Sequence, residues 1–151
     1  MANIESRVTI NAPVDFVYRV SQDYAVRYDW DPFPENISVV SGDPNSLAVG
    51  TRVQVNSKLG MGMLVEFVQV MPPTRAAVKM ISGPWFLEKF AGSWIFQDAP
   101  SGAQTEARFR YTIVAKPRLL RFLVEPLAAL YFSRVVSKRL AGLKAYCEEA
   151  S

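Results

Sequence analysis

A single greasy stripe runs through the C-terminal part of the chain. Ala129, Phe132, Val136, Leu140, Leu143 and Cys147 recur at steps of three or four. At ~100° per residue they fall within about 80° of arc on a helix. Arg134, Lys138, Ala141, Lys144 and Glu148 fall opposite. Such a helix draws its stability from the surface that covers its stripe, not from propensity. The chain must therefore supply a large apolar face elsewhere, and whatever supplies it fixes the fold.

The residues before the helix supply a sheet. From about residue 36 the apolar period changes to two. NISVVSG reads as a short strand. GTRVQVNSKL alternates Val53, Val55, Ser57 and Leu59 with Arg52, Gln54, Asn56 and Lys58, the pattern of a half-buried antiparallel strand. GMGM reads as a turn. LVEFVQVM is a strand ending at Pro72-Pro73, RAAVKMIS one stopped by Gly83-Pro84, and WFLEKFAGSWIFQ one stopped by the turn APSGAQ. TEARFRYTIV follows, with Ala107, Phe109, Tyr111 and Ile113 on one face and Glu106, Arg108 and Arg110 on the other, so that both arginines point to solvent. Strands joined by tight turns at this spacing predict a meander. Pro117 keeps the last strand from continuing. RLLRFLV predicts a first helical segment, and Pro126 starts or kinks the main one.

Ahead of the meander, residues 4–11 read as a first strand with Val8 and Ile10 on one face. Asn11 suits a helix N-cap and Pro13 the first turn, followed by Asp15 and by Phe16, Val17 and Val20 at helical spacing. DYAVRYDW reads as a second short helix closed by Pro32, with Trp30 at its exit. The order predicts an α+β fold in one domain spanning residues 1–151. A curved antiparallel sheet of six to seven strands wraps one long C-terminal helix, and two short helices follow the first strand.

Composition then narrows the chemistry. The chain has no histidine and one cysteine. The usual zinc sites are excluded, as is any Ser-His-Asp or Cys-His machinery, and a general base would be Asp, Glu, Tyr or Lys. No metal and no cofactor are expected. One cysteine allows no internal disulfide, and MANIESRVTI has no basic segment leading into an apolar run, so the expected compartment is the cytoplasm. The greasy stretch 119–132 is broken by Arg121, Glu125 and Pro126, and no integral membrane segment is expected. From residue 116 to 144 there are seven Lys or Arg against one acid, Glu125. This basic element reads as a solvated face, with acidic lipid, RNA or a protein as alternative contacts. DNA binding is not expected.

The stretch GPWFLEKFAGSWIF, residues 83–96, bears most directly on function. One strand face carries Phe86, Glu88, Phe90, Gly92, Trp94 and Phe96, and is assigned to the helix side. Solid cores favour branched aliphatics. This face offers flat aromatics with one acid, as do pockets for apolar ligands; a plain aromatic core is the competing reading.

INAPVDFVYRVSQDYAVRYDWDP resembles the opening of the START-like, or helix-grip, superfamily (SRPBCC), in its polyketide cyclase/dehydrase and lipid-transport branch. An Ala-Pro there opens the first short helix and a Trp closes the second. GTRV resembles that group's strand entry and VMPPTR its double-proline hairpin. GPWFLEKFAGSWIF with ARFRYTI is similar to the hairpin of the coenzyme Q-binding proteins, and AGLKAYCEE to the end of the grip helix. The resemblance covers nearly the whole chain. It implies an apolar cavity between sheet and C-terminal helix, and a lipid, polyketide or quinone-like ligand. It implies no catalytic set, because the superfamily mixes enzymes with carriers.

Three functions follow. The first is a binding protein, monomer or homodimer, holding a hydrophobic small molecule. Trp30, Met80, Phe86, Phe90, Trp94, Phe109 and Tyr111 would line the chamber with Val55, Phe67, Val78, Phe132 and Val136. The second is a cyclase or dehydratase in which Glu88 or Tyr111 moves a proton. The third is an RNA- or protein-interaction module using the basic helix. Glu66 is a weaker acid candidate, Met61 and Met63 suit a flexible lid, and Asp29, Asp31 and Glu35 read as a solvated acidic loop.

Overall fold

A computed structural model of the chain describes residues 2–31, 34–43, 47–57, 61–100, 103–116 and 118–150. Pro32, Lys58, Leu59 and Pro117, and the side chains of Glu35 and Ser57, lie outside the described residues. The elements are β1 (Ala2–Ile10), α1 (Val14–Gln22), α2 (Arg27–Trp30), β2 (Pro34–Ser41), β3 (Arg52–Ser57), β4 (Gly62–Met71), β5 (Arg75–Ser82), β6 (Leu87–Asp98), β7 (Thr105–Ala115), a 3-10 turn (Arg118–Leu120) and α3 (Arg121–Ala150). The seven strands form one antiparallel sheet in the order β1-β7-β6-β5-β4-β3-β2. β1 therefore lies beside β7, and the rest is the expected meander.

Local chemistry moves several boundaries. Pro13, not Asn11, sits at the N-cap of α1, with no side-chain cap bond. The backbone N–H of Asn11 instead donates to Glu148 at 2.9 Å, holding the end of α3. α2 is a single turn because Asp23 accepts the Ala25 N–H at 3.0 Å and turns the chain first. Gly62 and Met63 belong to β4 rather than to a turn. Pro126 lies inside one continuous α3 instead of dividing it.

The start of β6 departs from the expected alternation. Leu87 N–H bonds to the Pro84 carbonyl at 3.1 Å, so residues 84–87 form a turn. The pairing with β7 then shifts register between Leu87 and Lys89. The bulge points Leu87 inward, 1% exposed, and leaves Glu88 exposed. A two-residue period continued through this point puts Glu88 on the wrong side, whereas Phe86 is half-buried against the core.

The stripe of α3 is covered. Phe132, Val136, Leu140, Leu143 and Cys147 have no exposure, while Ala129 is half-buried and Ala128 takes the buried place above them. The helix packs chiefly on β1 and β7 and touches both short helices. Its last turns are pinned: Lys144 donates to the Thr9 carbonyl at 2.8 Å and to Glu148 at 2.6 Å. Burial pushes the Cys147 thiol up to about 12, with help from Glu148, so it is an inert packed thiol. Among the described residues no helix is long and apolar enough to cross a membrane.

Because α3 lies over β1 and β7, the inner face of β3 to β5 gets little cover from it. This unequal cover leaves the space described next. Leu140 sits where the cover is complete. Leu140→Ala is expected to lower unfolding free energy by about 2–5 kcal/mol in urea titration; a loss below about 1 kcal/mol would mean that the stripe is not the buried seam.

Candidate functional site

The exposed half of the inner sheet face encloses a cavity of about 90 Å³. Its walls come from Val55 on β3, Met63, Val65 and Phe67 on β4, Ala76 and Val78 on β5, Phe90, Gly92 and Trp94 on β6, and Phe109 and Tyr111 on β7. Phe132 and Arg139 close it from α3, and Gln22, Tyr24 and Arg27 from the short-helix side. The volume accepts a few waters or a small ring. It is below the ~300 Å³ that small-molecule sites usually offer, so a larger guest must displace wall residues. The half-buried Met61 and Met63 line it with flexible thioethers.

The aromatic walls are mutually packed. Trp94 meets Phe109 edge-on at 3.9 Å between ring centres, and Phe90 lies 4.6 Å from Tyr111 and 5.3 Å from Phe132. Gly92 makes this arrangement fit. It pairs across the ladder with Tyr111, and a Cβ there would come within 3.1 Å of the tyrosine ring. The missing side chain lets Tyr111 lie flat across β6 and aim its hydroxyl at α3.

A polar cluster forms one end of this apolar space. Arg139 grips Asp31 in a forked contact: Nε to both carboxylate oxygens at 3.1 and 3.0 Å, and a terminal nitrogen to Oδ2 at 2.9 Å. Its other terminal nitrogen donates to the Tyr111 hydroxyl at 2.6 Å. Arg27 reaches Asp31 Oδ2 at 3.4 Å and donates to the Ser21 carbonyl. The Asp31 side chain is 0% exposed, and Arg27 and Arg139 are 5% and 8% exposed. Both guanidinium groups lie over rings: Arg139 is 4.9 Å from the Phe109 centre and 5.3 Å from Trp94, and Arg27 is 5.1 Å from both Tyr24 and Trp30. Rings of this kind stabilise a cation without neutralising it.

The two arginines are not equally compensated. Burial lowers the pKa of Arg139, but the Asp31 carboxylate and the Tyr111 oxygen outweigh it and the net shift is upward. Burial lowers Arg27 as well, and there the looser Asp31 contact does not make up the difference. Arg27 Nε and Trp30 Nε1 are buried without a hydrogen-bond partner among the described residues. A buried donor left unpaired is costly. Burial raises the Tyr111 pKa, partly opposed by Arg139, so its phenol stays neutral at physiological pH. The cluster therefore places N–H and O–H groups at one end of the cavity wall.

Of the residues singled out by sequence, Val55, Phe67, Val78, Phe90, Trp94, Phe109, Tyr111 and Phe132 stand on the cavity wall. Trp30 stacks edge-on behind Trp94 at 5.9 Å, and Val136 is fully buried in the core below. Met80 packs its sulfur on Gly83, and Phe86 lies beside Trp85. Glu88 is at the surface, paired with Arg121 at 2.9 Å and Arg118 at 3.8 Å. Glu66 pairs with Arg52 and Lys79 on the outer face, and Arg108 and Arg110 pair with Glu5 there. Asp31 is no member of a solvated loop; it is the carboxylate at the centre of the buried cluster, whereas Asp29 is exposed. Arg27, Tyr24 and Arg139 were not among the expected site residues. Among the described residues no group of His, Cys, Asp or Glu is arranged to hold a metal.

A curved seven-stranded antiparallel sheet gripping one long helix, with two short helices after the first strand, defines a START-like helix-grip protein. The chain belongs to the polyketide cyclase / dehydrase and lipid transport family, whose model matches residues 1–148. Its fold is similar to that of the ZhuI aromatase/cyclase of a Streptomyces species (15% identity, 98% of this chain and 94% of that one, TM-score 0.82). A START superfamily protein of Mycobacterium smegmatis (8%, 99% of each chain, 0.81) and a protein of Thermus thermophilus (20%, 99% of each chain, 0.80) are similar too. No curated protein matches the sequence.

Asp31 and Arg139 are expected to be energetically coupled. Arg139→Met strands a buried carboxylate and should cost about 3–5 kcal/mol in denaturant titration. The double variant Asp31→Asn/Arg139→Met should lose clearly less than the sum of the single changes. Additive losses would mean that the two side chains do not depend on each other.

Proposed function

We propose that this protein binds a hydrophobic small molecule of the lipid, polyketide or quinone type, with its apolar body on the aromatic wall and an oxygen at the buried arginines. The oxygen belongs to a carboxylate, an enol or phenol, or a ring carbonyl. The observation that carries the reading is Arg27, a buried cation on the cavity wall whose Nε–H has no partner among the described residues. The Nε itself is closed to solvent, so a ligand oxygen that displaces the wall beside it gains a charge-assisted hydrogen bond at low dielectric. Apolar contact supplies the rest, at roughly 25 cal/mol per Å² before ordering costs. A ligand longer than one ring opens the wall at Met61 and Met63. A cytoplasmic setting and a monomeric or dimeric chain are part of this reading, with no cofactor needed.

A second reading is an enzyme that cyclises or dehydrates a polyketide-like substrate. Family membership favours it, and so does Tyr111, a neutral phenol on the cavity wall whose oxygen is held by Arg139. Tyr111 could donate its proton to a substrate carbonyl oxygen, and Arg139 would steady the phenolate left behind. Glu88 is too far toward the surface to share this step, being paired with Arg121 outside the aromatic wall.

Native mass spectrometry of freshly purified protein, with an organic extract of the same sample, tests the binding reading. An added mass that leaves on extraction is expected. Ala76→Phe fills the cavity and should abolish the added mass, with Val78→Phe as a second variant should the first not fold. Retention of the same mass by a folded, cavity-filled variant would contradict the reading.

A further inference from the structure

One large apolar surface plays no part in the core or the cavity. Leu119 is 87% exposed, Trp85 74%, Phe122 72% and Leu127 70%, and Leu123 and Leu130 are each 54% exposed. On α3, residues 122, 123, 127 and 130 fall within about 140° of one face at ~100° per residue. Trp85 and Leu119 join them because the chain folds together there. Lys116 N–H donates to the Phe86 carbonyl at 3.0 Å, and Glu88 pairs with Arg121 and Arg118. Soluble chains seldom leave this many large side chains together in water.

The charge around the surface is one-sided. Between residues 116 and 138 the sequence has five cations and one acid, Glu125, and Glu88 from β6 pairs with two of them, Arg118 and Arg121, leaving Lys116, Arg134 and Lys138 in excess. The Glu125 side chain is only 13% exposed. Arg134 and Lys138 are exposed and continue the same helix face past Leu130, while Lys116 and Arg118 are exposed on the other side of the apolar group. Apolar side chains rimmed by cations match a bilayer interface: the apolar groups enter the headgroup–acyl boundary and the cations meet anionic headgroups. An RNA surface would leave the leucines and Phe122 uncovered. A second basic copy of this face would bring like charges together.

We propose that the N-terminal half of α3, with Trp85, is a docking surface for anionic lipid bilayers. The protein lies on the bilayer rather than spanning it. Pro84 lines the cavity and Trp85, the next residue, belongs to the docking surface, so docking brings the cavity wall near the lipid. This docking does not depend on what the cavity holds.

Co-sedimentation of the full chain with phosphatidylcholine vesicles, and with vesicles half phosphatidylglycerol, tests it. Partition should be about tenfold or more higher on the anionic vesicles, fall with added salt and be accompanied by a blue shift in tryptophan emission. Trp30 and Trp94 are already buried, so that shift reports Trp85. Phe122→Glu/Leu127→Glu should abolish partition with melting temperature unchanged, and Arg134→Glu/Lys138→Glu should weaken it only on anionic vesicles. Failure to bind anionic vesicles overturns the proposal. So does self-association in sedimentation velocity, or RNA binding, that the Phe122/Leu127 variant abolishes while vesicles leave the wild type unbound.

Discussion

The forked contact between Arg139 and Asp31 is the interaction on which the site depends. It joins the middle of α3 to the exit of α2, residues far apart in sequence, beneath the sheet. From there Arg139 reaches Tyr111 on β7, while Asp31 holds Arg27 on the short-helix side. Three separate parts of the chain thus set their positions through one carboxylate. A buried pair of this kind is seldom more stabilising than well-packed apolar residues of the same volume. What it adds here is an arrangement of donors at the end of an otherwise apolar space.

That space has a mechanical origin. A single helix covers β1 and β7, and a curved seven-stranded sheet carries its apolar face further than one helix reaches. The uncovered part is walled by rings from β6 and β7 and by smaller side chains, Val55, Ala76 and Val78, from β3 and β5. Gly92 leaves room for the Tyr111 ring to lie across β6 among them. Cations stacked on the same rings keep their charge with little water nearby. The ligand proposed for it is greasy along most of its length and oxygenated at one end.

Much of the fold was legible from periodicity. The alternation in residues 52–56 and 105–114 and the stripe from Phe132 to Cys147 each named the correct buried face, because one residue's position decides its neighbour's. The site was legible only where it shared those faces, as with Phe90, Trp94, Phe109 and Tyr111. Glu88 was assigned to the helix side although it lies at the surface, because a bulge between Leu87 and Lys89 breaks the period at that residue. Asp31 read as one of several loop acids, since its partner is supplied by α3 and no local pattern reports that. Arg139 did leave a signal: at ~100° per residue it falls about 20° from Phe132, at the margin of the greasy stripe. A lone arginine there must be paired when buried.

Arg27 is the group proposed to receive the ligand's oxygen. Its most direct test is the binding of a hydrophobic aryl carboxylic acid and of its methyl ester, by titration calorimetry, to the wild type and to Arg27→Met. The acid should bind the wild type about tenfold or more tightly than the ester, a difference of ~1.4 kcal/mol. That preference should vanish in Arg27→Met while ester binding stays the same. Equal binding of acid and ester by the wild type, or a preference that survives the substitution, would contradict the account.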